Sequence, residues 1–177
     1  MKTLSSAARP AGEALLAHLD AAYNLARWLV RNDQDAEDIV QEAFIRASRT
    51  SESTPVRDMR AWMMAIVRNT AYTWIKRNRP AWETEISTDP ASVRDPSTDE
   101  NLEADAIRRA DRRAVIEAME ELALEFREVI VLREFEDFSY REIAEAIGAP
   151  IGTVMSRLAR ARANLRRILA ARMRKEV

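Results

Sequence analysis

The 177-residue chain contains no cysteine, only three glycines and a single histidine. Without cysteine it has no disulfide, no thiolate metal site and no cysteine nucleophile. The histidine, His18, stands beside Leu19 on a predicted helix face, where a surface position is a simpler interpretation than a general base. The sequence shows no glycine-rich phosphate loop, metal-ligand cluster or nucleophile constellation. It therefore predicts a protein that is not an enzyme and uses no cofactor or metal.

Long apolar segments are also missing. No apolar run approaches the roughly 20 residues that a helix needs to span a bilayer. The N-terminal residues lack the apolar core of a signal peptide. We therefore expect a soluble, cytoplasmic protein that does not insert into membranes.

The net charge of −1 conceals a strong segregation of charge along the chain. Residues 1–79 carry 12 basic and nine acidic side chains, and residues 106–177 carry 15 basic and 12 acidic ones. Between them, residues 80–105 carry eight acidic side chains against Arg94 alone, and prolines interrupt any helical period. The pattern predicts two basic domains, 1–79 and 106–177, joined by an acidic flexible linker. Composition alone leaves open whether the linker is more than a spacer.

Few glycines, few β-branched runs and many alanines, leucines, arginines and glutamates predict an all-α fold with two small helical domains. In the first domain, apolar spacing predicts helices over 13–31, from about Gln34, and over Met59–Asn78. In the second domain it predicts helices over 106–119 and 124–135. The apolar stripe expected in the first helix includes Leu15, Leu16, Leu19, Ala22, Tyr23, Ala26 and Leu29. The stripe expected to face the core from the third helix is Trp62, Met63, Ile66, Thr70 and Trp74.

Residues 139–162 carry the most informative pattern in the chain. Ser139 and Glu142 form a capping-box signature that begins one helix, and Gly148 supplies the left-handed residue that ends it. The turn is expected at 150–152, with a second helix beginning at Thr153. One face of that helix is apolar, with Val154, Leu158, Ala161 and Leu165. The opposite face is small and basic, with Gly152, Ser156, Ala159, Arg160 and Ala163.

These patterns suit nucleic acid. A helix that exposes small residues and one or two arginines can lie deep in the major groove of DNA. An ordinary helical hairpin with a solvated basic face is the alternative, but a short glycine turn, a capping box and a basic face coincide here. In the third predicted helix a basic and aromatic stripe suits single-stranded nucleic acid: Arg68, Tyr72, Lys76 and Arg79, beside Asn69. A solvated surface with a half-buried tyrosine would give the same pattern, so this stripe alone leaves both interpretations open.

Four ordered blocks then make the sequence resemble a known family. They are Asp35–Phe44, Ala61–Ala71, Phe126–Glu134 and Ser139–Arg157. Over about residues 13–79 and 106–170 the sequence resembles the extracytoplasmic-function (ECF, group IV) sigma factors of the sigma-70 family, the promoter-specificity subunits of bacterial RNA polymerase. The resemblance implies an alternative sigma factor that directs core polymerase to specific promoters and initiates transcription. It implies sigma region 2 in residues 1–79 and a region 4 helix–turn–helix in residues 106–177.

For the first domain, the resemblance implies two interfaces. The polar face of the second helix would bind the β′ clamp helices of core polymerase through Asp35, Asp38, Gln41 and Glu42. The third helix and the loop 49–58 before it would recognise and melt the −10 element and hold a flipped base. Asn69 matches the family position near that base, and Ser53 stands near a loop position that can hold an aromatic. The side chains that suit the strand backbone are Arg68, Tyr72, Lys76 and Arg77.

For the second domain, the resemblance implies contacts with the −35 element. Base-facing positions are matched by Thr153, Met155, Ser156 and Arg160, with Arg157 at their flank, and phosphate contacts by Arg133 and Tyr140. Some relatives have an arginine where Met155 stands. Methionine cannot make the bidentate contact of arginine with guanine, although it can pack on a thymine methyl. The acidic linker would pass through the RNA exit channel of the polymerase.

The resemblance also implies partners and leaves one alternative. The partners are core RNA polymerase (β′ clamp helices and β subunit), promoter DNA and an anti-sigma factor that restrains the protein until a stress or envelope signal arrives. The free protein would be a monomer. The alternative is a dimeric helix–turn–helix transcriptional regulator, but residues 1–79 offer basic stripes rather than a large apolar pocket for a ligand or dimer domain. A regulator would bind duplex DNA alone, whereas a free sigma factor of this group binds it poorly without polymerase.

Overall fold

The computed structural model describes residues 14–51, 56–78 and 102–174, and for residues 102–110 the backbone alone. All regular elements in these ranges are helices, and none of their residues lies in a strand. The predicted all-α fold class is therefore confirmed. The predictions for Ser53, for Arg79 and for most of the acidic linker fall outside the described residues.

The first body consists of α1 (Leu19–Val30), α2 (Asp33–Ser51) and α3 (Met59–Asn78), each of which packs against the other two. Side chains just before α2 and α3 cap their free N–H groups. The Asn32 Oδ1 accepts from the Asp35 N–H at 3.0 Å, and the Asp58 Oδ1 accepts from the Ala61 N–H at 2.9 Å. These caps explain why α2 and α3 begin where they do.

The predicted helix 13–31 is wrong at its N-terminal end. A single helical turn at 14–16 is followed by a bend, and the His18 N–H donates to the Leu15 carbonyl oxygen at 3.1 Å before α1 begins. The bend buries Leu15 completely but leaves Leu16 54% exposed, so Leu16 does not belong to the core stripe. The other buried side chains of α1 and α2 are Ala22, Leu25, Ala26, Trp28, Leu29, Ala36, Ile39, Ala43 and Ala47.

The bounds predicted for α3 agree with the structure, and its predicted stripe packs on the core, although three of its members are only partly buried. Met63 and Thr70 are buried as predicted, whereas Trp62, Ile66 and Trp74 are only half-buried. Helix α3 packs against α1 and α2 on one side and against a helix of the second body on the other. Because both sides are covered, burial includes residues outside the predicted stripe: Ala61, Met64, Val67 and Ala71.

The second body consists of α4 (Leu102–Glu121), α5 (Leu124–Ile130), α6 (Tyr140–Ile147) and α7 (Ile151–Met173), with a π-helical turn at Val131–Phe135. Helix α7 packs against α4, α5 and α6 and thereby covers a common core. The buried apolar side chains of that core include Met119, Leu122, Val129, Ile130, Leu132, Phe138, Ile143, Val154, Leu158 and Ala161.

The predicted continuous helix 124–135 is interrupted by the π-helical turn. The Glu136 N–H donates to the Val131 carbonyl oxygen at 3.1 Å, which is the i to i+5 pattern of a π-helix. Asp137 then adopts a left-handed conformation with a φ of 52°. The apolar spacing of Val129 and Leu132 is compatible with either kind of helix, so periodicity could not reveal the wider turn.

The hairpin prediction is largely confirmed. The Ser139 N–H donates to the Glu142 carboxylate at 2.7 Å, the Glu142 N–H donates to the Ser139 hydroxyl oxygen at 3.2 Å, and Gly148 has a φ of 65°. The second helix, however, begins at Ile151 rather than at Thr153. The Pro150 carbonyl oxygen already accepts from the Thr153 N–H, so Thr153 lies within the first turn.

The two bodies are in direct contact. Helix α3 of the first body packs against α6 of the second, and α1 packs against α5 and the π-helical turn. We call this arrangement the closed form. It places side chains from α1 and α3 beside side chains from α5, α6 and α7.

Candidate functional site

The outer face of α2 is acidic and polar. Asp38, Gln41 and Glu42 are exposed there, and Asp35 is half-buried near the beginning of the helix. Burial and the neighbouring charge of Asp38 raise the pKa of the Asp35 carboxyl. The Glu42 carboxylate pairs with the Arg46 guanidinium one turn further along. The structure thus brings the four predicted polymerase-binding side chains onto one accessible surface.

The predicted −10 residues divide into two groups along α3. Asn69, Lys76 and Arg77 are exposed in the closed form. Arg68 and Tyr72 are half-buried, and the Arg68 guanidinium lies 4.3 Å from the centre of the Tyr72 ring. These two side chains point toward the second body.

Arg68 and Tyr72 meet a carboxylate of α5. The Arg68 Nε donates to the Glu128 Oε2 at 2.8 Å, the Tyr72 hydroxyl donates to the same oxygen at 2.8 Å, and the Arg68 Nη2 lies 3.4 Å from Oε1. From α7, the Arg157 Nη1 lies 3.4 Å from the Glu128 Oε1. The Glu128 side chain is completely buried. We call Arg68, Tyr72, Glu128 and Arg157 the Glu128 cluster.

The pKa values of two members of the Glu128 cluster, Arg68 and Tyr72, are raised. Burial alone would lower the pKa of Arg68, but its hydrogen bond to Glu128 and the charge of that carboxylate outweigh burial and raise it. Burial and the charge of Glu128 raise the pKa of the Tyr72 phenol far above its usual value. Both donors therefore remain protonated at neutral pH and keep donating to the carboxylate.

Helix α7 exposes the predicted small and basic face. Val154, Leu158 and Ala161 are buried, and all five residues of the predicted outer face are exposed: Gly152, Ser156, Ala159, Arg160 and Ala163. Met155 is 53% exposed, and Thr153 is half-buried with its carbonyl oxygen accepting from the Ser156 hydroxyl at 2.9 Å. Arg160 forms no ion pair with another described residue.

The remaining predicted −35 residues are engaged within the second body. The Arg157 guanidinium faces Glu128 and lies 3.8 Å from the Glu125 carboxylate, so it is less accessible than Arg160. The Arg133 Nη1 donates to the Phe138 carbonyl oxygen at 2.8 Å, and its guanidinium lies 5.3 Å from the centre of the Tyr140 ring. Arg133, in the π-helical turn, and Tyr140, at the start of α6, are both half-buried.

A second set of contacts closes the two bodies around Arg60. The Arg60 guanidinium donates to the Glu136 carbonyl oxygen, lies 3.6 Å from the Glu142 carboxylate, and stacks 3.9 Å from the centre of the Phe138 ring. The Asn24 amide donates to the Glu136 carboxylate. Beside them, the rings of Trp28 and Phe135 have centres 5.6 Å apart. An apolar pocket of about 270 Å³ lies between α1 and α4 near these two rings.

A metal centre is not found in the described ranges. No group of three or more His, Asp or Glu side chains there is arranged to hold a metal ion. His18 is half-buried before α1, and burial together with the charge of Arg60 lowers the pKa of its imidazole. None of the helices in the described part of the chain is long and apolar enough to span a membrane.

Comparisons with known proteins match both bodies to one family. Residues 15–81 match the family described as Sigma-70 region 2, and residues 112–165 match Sigma-70, region 4. The chain is 35% identical to the ECF RNA polymerase sigma-E factor of Haemophilus influenzae over 147 residues, which cover 78% of this chain and 75% of that protein. The chain belongs to the ECF sigma factors.

Other relatives agree with this membership. The sigma factor is 35% identical over 172 residues to the ECF RNA polymerase sigma factor SigE of Mycolicibacterium smegmatis, covering 95% of this chain and 65% of that protein. Its fold is similar to that of the sigma factor RpoE solved with the anti-sigma factor NepR from Bartonella quintana, with 29% identity, a TM-score of 0.67, and 89% and 95% of the two chains covered. It is also similar to CnrH solved with the cytosolic domain of CnrY, with 27% identity, a TM-score of 0.65, and 92% and 89% covered.

Region 2 of this sigma factor is therefore the first body, and region 4 is the second. Sequence patterns did not reveal two of the residues that join them, Arg127 and Glu128. Both are charged and both are buried in α5. The sequence does hold one sign of them, because two charged residues stand directly between the apolar residues Phe126 and Val129. A helix that is packed on several sides has no exposed position for such a charged pair.

Proposed function

We propose that this chain is a group IV sigma factor that binds core RNA polymerase through α2 and directs it to promoters through α3 and α7. The observation that carries the proposal is the division of labour between surfaces: an acidic face on α2 and a small, basic face on α7 belong to different bodies. The acidic face suits a reversible protein interface, and the basic face suits the major groove. In this proposal the sigma factor contributes recognition and strand separation and catalyses no reaction itself.

In region 4, α7 would enter the major groove of the −35 element. Its exposed Arg160 can donate two hydrogen bonds to a guanine edge, and Met155 can pack on a thymine methyl. Arg133 in the π-helical turn and Tyr140 at the start of α6 would face the phosphates. Thr153 and Ser156 complete the surface, while Arg157 would have to leave Glu128 in order to contact DNA.

In region 2, α3 would hold the unpaired −10 strand. Asn69 would border a flipped base, and Lys76 and Arg77 would contact phosphates, together with Arg68 and Tyr72 once these are released from Glu128. The α2 residues Asp35, Asp38, Gln41 and Glu42 would bind the β′ clamp helices. Because its partner is RNA polymerase, we place the protein in the cytoplasm.

An anti-sigma factor is part of the proposal. Two chains of similar fold were solved in complexes, the sigma factor RpoE with the anti-sigma factor NepR and CnrH with the cytosolic domain of CnrY. We propose that a partner of this kind restrains the present chain until a stress or envelope signal releases it. The free chain would be a monomer.

In vitro transcription tests the main proposal. Purified chain is added to bacterial core polymerase with a library of random promoter fragments, and the transcripts are sequenced. We expect transcripts to start downstream of two short elements separated by a fixed spacer. If the chain instead binds a palindromic duplex tightly as a dimer and starts no transcript with core polymerase, it is a conventional helix–turn–helix regulator.

A further inference from the structure

We propose that Glu128 holds the free sigma factor in the closed form by occupying, through Arg68 and Tyr72, the donors that would otherwise bind the −10 strand. The inference rests on the proposed strand-binding role of these two residues. It adds a residue of region 4, outside every predicted site, that would control access to region 2.

The chemistry of the contact is that of a phosphate site. A carboxylate and a phosphate both accept charge-assisted hydrogen bonds from a guanidinium fork and from a phenol. The Arg68 Nε and Nη2 both face Glu128, and the single hydroxyl hydrogen of Tyr72 is donated to it at 2.8 Å. These groups cannot donate to Glu128 and to a DNA phosphate at the same time.

The burial of the contact makes it exclusive. The Glu128 side chain is completely buried and the Arg68 side chain is 19% exposed, so a DNA strand cannot reach their meeting point while α3 lies against the second body. DNA binding through Arg68 and Tyr72 therefore requires the two bodies to separate. When the two bodies separate, the Glu128 carboxylate becomes accessible to water where Arg68 and Tyr72 were. Arg157 of the same body stays beside it.

The contact is suited to reversal. A buried ion pair contributes little net stability, because desolvation of the two charges offsets most of their attraction. After separation, water and phosphates can replace the partners that Arg68 and Glu128 give up. The closed form can therefore be favoured in the free protein and still open when the protein forms a larger interface with a partner.

The polymerase-binding surface remains accessible in the closed form. Asp38, Gln41 and Glu42 on α2 are exposed while Arg68 and Tyr72 are covered. Core polymerase could therefore meet the closed protein, whereas a DNA strand could not. This difference in accessibility implies an order of binding. Polymerase binds first, and the strand-binding side chains Arg68 and Tyr72 become available afterwards.

Arg60 supplies a variant that opens the closed form without touching the proposed DNA sites. Its guanidinium contacts the Glu136 carbonyl oxygen, the Glu142 carboxylate and the Phe138 ring, all in region 4. Arg60→Ala removes these contacts and leaves the Glu128 cluster intact. Glu128→Gln removes the negative charge that Arg68 and Arg157 face. A fold defect in one variant does not affect the other, and circular dichroism reports the helix content of both.

Distances between the two bodies test the closed form. The natural chain has no cysteine, so spin labels can be placed at Ile45→Cys on α2 and Ala170→Cys on α7, both exposed. In the otherwise unchanged full-length free protein we expect one narrow distance distribution by double electron–electron resonance. With Glu128→Gln or Arg60→Ala we expect a broad population at longer distances. A broad distribution in the parent, or a narrow one retained in folded Glu128→Gln, overturns the proposal.

Strand binding tests the consequence. The probe is a 12-nucleotide single-stranded DNA of mixed sequence, and its affinity for the free protein is measured by fluorescence anisotropy. If about one molecule in ten is open in the parent, opening should strengthen binding about 10-fold. Arg60→Ala removes a positive charge, which by itself weakens DNA binding, so a gain in affinity identifies release. Arg113→Ala, an equal loss of charge at a surface site, should not strengthen binding.

The outcomes separate this inference from the proposed function. Variants that open in the distance measurement but bind the probe no better than the parent overturn the role of Glu128, even if transcription with core polymerase is normal. A parent that starts no promoter-specific transcript overturns the proposed function, while the distance distributions still report whether Glu128 closes the two bodies.

Discussion

The Arg127 guanidinium donates to the Trp28 carbonyl oxygen at 3.0 Å, although the two residues are 99 positions apart in the chain. Trp28 lies in the last turn of α1, where carbonyl oxygens have no partner within the helix. The same guanidinium donates to three carbonyl oxygens at and after the end of α4: Met119, Glu120 and Leu122. One buried side chain of region 4 thus donates hydrogen bonds at the C-terminal ends of two helices, α1 in region 2 and α4 in region 4.

Arg127→Leu should destabilise the protein strongly. The substitution leaves buried carbonyl oxygens without their donor, and each such group costs about 1–3 kcal/mol. We expect the free energy of unfolding to fall by more than about 3 kcal/mol in urea denaturation followed by circular dichroism. As a control, Arg113→Ala removes an exposed guanidinium that pairs with Glu117 and should cost about 0.5 kcal/mol or less. Equal losses for the two variants would contradict the role of Arg127.

Gly148→Ala and Gly152→Ala should shift stability in opposite directions. At both positions an added Cβ meets no atom within 4 Å, so only the backbone distinguishes them. Gly148 has a left-handed φ of 65°, which costs a side-chain-bearing residue about 1 kcal/mol or more. Gly152 lies inside α7, where alanine is favoured by about 0.5–1 kcal/mol. Thermal unfolding should show a lower Tm for the first variant and an unchanged or higher one for the second.

Polymerase binding should depend on the outer face of α2. The Asp38→Ala and Gln41→Ala double variant removes two exposed polar side chains and should weaken binding to core polymerase about 10-fold or more, or about 1.4 kcal/mol. Surface plasmon resonance with immobilised core polymerase measures the change. Glu37→Ala, on the exposed flank of the same helix, should bind like the parent. Unchanged affinity in the double variant would place the polymerase interface elsewhere.

Arg160 and Arg157 should behave differently although both lie on α7. Arg160 is exposed, so Arg160→Ala should leave the Tm unchanged and cost about 1–3 kcal/mol of discrimination at one base pair of the −35 element. Arg157 faces the buried Glu128, so Arg157→Ala should lower the Tm. Transcription from single-base variants of the −35 element provides the measurement. A uniform loss across all −35 sequences would assign Arg160 to a phosphate instead of a base.

Asn69 should act in promoter opening. Asn69→Ala should reduce the permanganate reactivity of thymines in the −10 region at limiting polymerase, while polymerase binding and −35 preference stay intact. Flipping a base costs a few kcal/mol of unstacking, which its pocket must return. A promoter already unpaired across the −10 region should therefore restore part of the loss. Equal permanganate reactivity in variant and parent would assign Asn69 a structural role only.

Local sequence signals predicted the parts of the fold that neighbouring residues determine. The bounds of α3, the capping box at Ser139 and the left-handed Gly148 agree with the structure, as do three of the four residues predicted for the buried face of α7, whereas Leu165 is half-buried. Each depends on backbone geometry or on side chains within two turns of one another. The family resemblance, borne by four blocks of sequence, supplied the assignment of region 2 and region 4.

Contacts between the two bodies could not be predicted in the same way. Glu128 meets Arg68 and Tyr72 from 60 and 56 residues away, and no periodicity along one helix reports such a distance. The burial of Met64 and Val67, outside the predicted stripe, shows the same limit, because α3 is covered on two sides. Residues at the proposed interfaces were named from the family pattern, and their surroundings in the closed form followed only from the fold.

The π-helical turn at Val131–Phe135 makes the contact between the two regions sensitive to the length of one helix. A π-helical turn holds one residue more than an α-helical turn needs, so it acts as an insertion absorbed within a helix. A further residue added within α5 would have no second wide turn to absorb it and would rotate everything after it by about 100° relative to the start of α5. Phe135 would then turn away from the Trp28 ring, and the hairpin that carries α7 would leave α3, although every side chain that joins the two regions would still be present.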